Sequence, residues 1–227
     1  MKRPCEYLKK IPAVFVLMIL GLVGLAPGLV EAEEIRSRIG LGAFLAVHNT
    51  GSSDLNDVDA NFDTVPIVGI SGVYLINNTF SVELSTTSLS TDLELEYDGK
   101  SGTLGEIQQI PILLTARYRH PIKKTRANVY LGLGGGYFIN SFDHDKRNDQ
   151  AEFFGLNLRS ADISNSYGWL ANVGTELFFK KHYSVYLDLK VIFTQAEFDL
   201  THLDGTVEKQ DAAMNASVLG IGFNYYF

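Results

Sequence analysis

The run Val218-Leu-Gly-Ile-Gly-Phe-Asn-Tyr-Tyr-Phe227 decides the fold. Leu219, Ile221, Phe223, Tyr225 and Phe227 alternate with Gly220, Gly222 and Asn224. A period of two sends every second side chain to the same face of a strand. One face is then greasy and aromatic, the other small or polar, which is how a strand reads when lipid lies on one side and a barrel interior on the other. The final aromatic, Phe227, suits a strand that addresses the barrel-assembly machinery of a Gram-negative outer membrane.

The opposite end agrees. Lys2, Arg3, Lys9 and Lys10 precede an apolar stretch from Ile11 to Val30, and Val30-Glu-Ala32 places small residues where a signal-processing enzyme needs them. Residues 1–32 therefore read as an export signal cut after Ala32, and residues 33–227 as one domain. The length of the apolar stretch leaves an uncleaved anchor as the alternative. The lone cysteine, Cys5, lies in the discarded part, so disulfides and thiolate metal sites are excluded from the mature chain. Cutting 32 residues from 227 leaves 195, and removing four bases with Glu6 and Glu31 moves the formal charge from −7 to −9. An acidic chain without a basic stripe is a poor nucleic-acid binder.

No later stretch is apolar and long enough for a membrane helix. Eight strands are predicted instead, over 35–48, 64–76, 79–91, 107–120, 127–140, 164–180, 183–198 and 212–227. Their links alternate. Short ones sit at Asn77-Asn78, at Pro121 to Arg126 and at Lys181-His182; long polar ones span 49–63, 92–106, 141–163 and 199–211. Tight turns on one side, long loops on the other and an even strand number describe an all-β, eight-stranded antiparallel transmembrane barrel with both termini in the periplasm.

The faces can be assigned from strand 127–140. Val129, Leu131, Leu133, Tyr137 and Ile139 share one face; Tyr130, Gly132, Gly134, Gly136 and Phe138 share the other. A small barrel must be filled by inward side chains, and glycines relieve crowding there, so the apolar face looks at lipid. Outward aromatics then form two belts: Tyr74, Phe80, Tyr118, Phe179, Tyr225 and Phe227 near the short turns, and Tyr137, Trp169 and Phe193 near the long loops.

The inward face carries Glu83, Arg117, Arg119, Glu176, Asp188 and Lys190, all a few residues from a short turn. Three acids and three bases at similar depth can neutralise one another as a charged floor. That floor stiffens and closes the barrel, or it guides ions. Above it the inward set turns apolar, with Phe44, Leu113, Phe138, Leu170, Ile192 and Val218. These six either pack as an ordinary interior or line a greasy funnel open to the outside. A hydrophobic solute in such a funnel could not cross the charged floor without a heavy desolvation cost, and would leave sideways into the bilayer.

Several stretches resemble the OmpW family of outer-membrane proteins. They are Ile35-Arg-Ser-Arg-Ile-Gly-Leu-Gly42, Pro111-Ile-Leu-Leu-Thr-Ala-Arg-Tyr-Arg119, Val129-Tyr-Leu-Gly-Leu-Gly-Gly-Gly-Tyr137, Gly168-Trp-Leu-Ala-Asn-Val-Gly174 and the terminal run. The resemblance covers most of the mature chain and implies an eight-stranded barrel with a narrow hydrophobic channel for small hydrophobic molecules. One departure is Asp211-Ala-Ala-Met-Asn-Ala-Ser217, where the family often carries a Pro-Trp pair.

Enzyme chemistry finds little support. His144 in Asp143-His-Asp145 and His202 in Thr201-His-Leu-Asp204 read as solvated loop histidines, not as bases paired with a nucleophile. Gly132-Leu-Gly-Gly-Gly136 lies inside a strand and lacks the following Lys-Ser/Thr of a phosphate loop. Asp57-Val-Asp-Ala-Asn-Phe-Asp63 has acids at alternate positions but lacks the glycine and final glutamate of a calcium loop. No cofactor is expected. The expectation is a passive channel for small hydrophobic molecules set in outer-membrane lipid and lipopolysaccharide, with a non-transporting structural or adhesion barrel as the alternative.

Overall fold

The computed structural model describes residues 38–51, 53–55, 58–62, 64–97, 100–144, 158–202 and 204–227. The proposed signal at 1–32 lies outside them. Among the described residues every regular element is a strand: β1 (Ile39–Thr50), β2 (Ser53–Leu55), β3 (Val58–Phe62), β4 (Thr64–Leu75), β5 (Phe80–Thr87), β6 (Leu89–Tyr97), β7 (Lys100–Pro121), β8 (Ala127–His144), β9 (Leu158–Ile163), β10 (Ser166–Lys180), β11 (Tyr183–His202), β12 (Val207–Ala213) and β13 (Ala216–Tyr226).

Eight of them close a barrel. β1 pairs with β4, β4 with β5, β5 with β7, β7 with β8, β8 with β10, β10 with β11, and β11 with β13. The ring shuts where β13 pairs with β1, from Gly40↔Tyr226 to Thr50↔Ala216, and every pairing is antiparallel. Period-two patterning is visible in the burial itself: along β13 the inward Val218, Gly220, Gly222, Asn224 and Tyr226 are buried while Ile221 and Phe223 stand exposed. Outward Leu133 is 72% exposed, while Tyr130, three positions earlier and so of opposite parity, is buried, as the alternation demands.

The short turns are built from local bonds. Asn77 Oδ1 accepts from the backbone N–H groups of Thr79 and Phe80, both at 2.8 Å. In the 122–126 turn Thr125 Oγ1 donates to the Ile122 carbonyl at 2.9 Å, and Lys124 adopts φ 63°, a left-handed conformation unusual for a side-chain-bearing residue.

The long links depart from the sequence expectation. They are not plain loops: β2, β3, β6, β9 and β12, with the far ends of β7, β8 and β11, extend the wall beyond the eight predicted segments. Polar composition hid these strands, because outside lipid neither face needs to be greasy. On this extension Lys209 bridges Glu197 at 2.7 Å and Asp199 at 3.4 Å, and these bonds raise its ammonium pKa above the ordinary lysine value. The acids of the 57–63 stretch fall where side chains lie outside the described residues.

Candidate functional site

The barrel interior is layered from the short turns upward. At the bottom Val73, Leu75, Phe178 and Tyr226 form a small apolar cluster. Next to it Arg119 Nη2 meets Glu176 Oε2 at 2.5 Å. The other carboxylate oxygen of Glu176 accepts from Ser184 Oγ at 2.6 Å, Tyr226 Oη at 2.7 Å and Asn224 Nδ2 at 3.3 Å.

One level higher lies a second group. Arg117 Nη2 stands 2.6 Å from Glu83 Oε1, and Lys190 joins the same oxygen at 3.4 Å while also pairing with Asp188. Asp188 accepts further bonds from Asn172 Nδ2 at 2.9 Å and Tyr130 Oη at 3.0 Å. The Arg117 guanidinium lies over the Tyr130 ring, 4.5 Å from its centroid. The six inward charges of the sequence reading are thus all buried, from Glu83 at 1% exposure to Lys190 at 8%. They sort into a neutral foursome and a neutral pair at two depths, where the sequence suggested one layer. Alternation gives the face of a residue directly; depth also depends on strand tilt, which alternation does not carry.

Above the charges sits an apolar cluster. Leu113, Phe138, Leu170, Ile192 and Val218 are buried in it together with Ala46, Ile67, Leu89 and Ala216, and half-buried Phe44 packs against it. The cluster borders a cavity of about 30 Å³, whose base is formed by Tyr186, Asp188 and Lys190 and whose side includes Thr87 and Pro111. That volume is room for about two or three waters.

A ring of neutral polar groups follows, which sequence reasoning missed. Gln109 Nε2 donates to Asn140 Oδ1 at 2.8 Å, Asn140 Nδ2 reaches Ser166 Oγ at 3.3 Å, and Ser166 Oγ lies 3.2 Å from Thr194 Oγ1. His48 and Thr50 belong to the same region, with Nδ1 and Oγ1 3.2 Å apart. Their signal was present: each has the inward parity of its strand. Among the described residues, no group of three or more His, Cys, Asp or Glu side chains could hold a metal ion.

Outside, two aromatic belts flank the lipid-facing surface. Phe179, Tyr183, Phe223, Tyr225 and Phe227 form a chain of ring contacts near the short turns, with centroid separations of 5.1–6.3 Å. Phe80 and Tyr118 pair edge-on at 5.6 Å. Toward the long loops stand Tyr137, Tyr167, Phe193 and Trp169, the last 77% exposed.

A family profile described as the OmpW family matches residues 42–227. The chain belongs to the OmpW family. The OmpW-family barrel is similar to the crystal structure of OprG from Pseudomonas aeruginosa, with 21% identity, TM-score 0.71, and coverage of 88% of this chain and 99% of that one. The outer membrane protein AlkL, solved in lipid bilayers, is 16% identical with a TM-score of 0.58 over 88% of this chain and 94% of AlkL. The E. coli outer membrane protein W is 17% identical with a TM-score of 0.54 over 84% and 98%. None of the curated proteins matches the chain. Family and fold together make this an outer-membrane β-barrel surrounded by membrane lipid and lipopolysaccharide.

Proposed function

We propose that this OmpW-family barrel is a passive, non-enzymatic conduit for small hydrophobic molecules, which reach the apolar layer from the long-loop side and leave through the wall. The observation that carries this reading is an interruption of the strand ladder beside the apolar cavity. β5 pairs with β7 as far as Thr86↔Ile112, and pairing resumes with β6 only at Leu89↔Gln109. Pro111 lies in the gap and has no N–H to donate. Thr87, opposite it, turns its hydroxyl to the Val68 carbonyl at 2.7 Å, away from β7. Ile112, beside the gap, is registered with Tyr137 of the outer aromatic belt, so the break in the ladder faces acyl chains near that interface.

The paired charges support a blocked lower end. A hydrophobic solute moving down would have to break bonds among buried ions, at a cost of several kcal/mol each. A sideways path avoids that cost. On this reading the signal at 1–32 is removed, the termini lie in the periplasm, and the final strand ending in Phe227 is recognised by the barrel-assembly machinery.

Uptake of a labelled apolar solute into vesicles carrying the protein, with lipopolysaccharide in the outer leaflet, tests the proposal. Leu113→Arg and Leu170→Arg each place a charge in the apolar layer and should depress uptake; unchanged uptake in both counts against a lumenal path. The small cavity favours a second reading, a packed barrel whose outer loops do the work. It predicts uptake no faster than that of protein-free vesicles.

A further inference from the structure

Resting on the conduit reading above, we infer that the ring of Phe44 is a movable partition between the apolar cavity and the wall opening at Pro111, and that it sets the width of solute admitted. Phe44, with Val65, differs from the buried residues of the apolar layer. Leu113, Phe138, Leu170, Ile192 and Val218 are buried, whereas Phe44 is half-buried and packs against the cluster from its margin.

The ring rests on a glycine. Phe44 is registered with Gly69, and Gly69 with Thr87, the residue that faces the gap. A Cβ built on Gly69 would lie 2.6 Å from Cε1 of Phe44, closer than real side chains approach, so the ring occupies the space that any other residue would fill. One bare position therefore separates Phe44 from the opening. Both Phe44 and Thr87 border the cavity, as does Pro111.

On its other side the ring lies 5.9 Å from Lys190 Nζ, at the outer limit of a cation–π contact. Lys190 is already held by Asp188 and Glu83, so it offers a fixed but weak hold on the ring. A weak hold below and bare backbone alongside allow the ring to swing without disturbing the buried wall residues. Swinging also answers the size problem: a cavity of about 30 Å³ admits a solute only when a large side chain vacates it.

The test uses the full chain in the same vesicles, with a labelled linear alkane and labelled naphthalene as probes. Phe44→Ala should raise the naphthalene-to-alkane uptake ratio roughly tenfold, the scale on which an apolar pocket discriminates by shape. Phe44→Trp should slow both probes and lower the ratio, and it keeps the test open should the alanine variant fold poorly. An unchanged ratio in both variants, with the unmodified protein passing the alkane, overturns the partition alone. No uptake by the unmodified protein overturns the conduit reading and the partition with it.

Discussion

Glu176 shows how a carboxylate survives inside a membrane barrel. One oxygen meets Arg119 and the other takes three hydrogen bonds, so its capacity is used in full. Arg119→Ala should therefore cost about 3–5 kcal/mol of unfolding free energy, read by urea titration in detergent, because it strands a buried charge. Replacing both partners together, Arg119→Met with Glu176→Leu, should recover most of that loss. Lys124 is a different case: its φ of 63° suits glycine. Lys124→Gly should raise the urea midpoint, by about 0.5–1 kcal/mol of stability. At this scale the sequence was most readable. The parity of Glu83, Arg117 and Asp188 in their strands already put them inside, whereas the bonds of Tyr226 and Asn224 to Glu176 join residues 48 or more apart and leave no local trace.

Strands show where patterning stops informing. β7 runs for 22 residues, about 70 Å at 3.3 Å per residue, while 9–11 tilted residues cross the apolar core. Only its lipid-embedded half carries the greasy alternation of Ile110, Ile112 and Leu114 that marks a membrane strand. Beyond the lipid, β6 is held to β7 and β9 to β11 through ladder bonds that any side chain permits, so composition suggested loops. Pro111 in β7 is legible as a missing donor, but its placement opposite Thr87, next to Ser88, which belongs to no strand, needed the register. Pro111→Ala restores the donor. It should slow amide exchange at the neighbouring residues of β5 and β7 and reduce solute uptake.

For the molecule as a whole, two stacked neutral charge groups above an apolar base argue against steady ion flow. In planar bilayers the purified protein should give no sustained conductance, and Glu83→Gln should not create one while the lower pair stays intact. The same closed cylinder has a consequence for biogenesis. Its seam joins the first barrel strand to the last, from Gly40↔Tyr226 through Thr50↔Ala216, and even Phe227 donates its N–H to the Ile39 carbonyl at 3.0 Å. Until β13 has been synthesised, β1 and β11 both present raw backbone edges that lipid cannot satisfy. Closure must therefore await the finished polypeptide, and any nonsense mutation ahead of codon 216 yields a sheet that cannot be sealed.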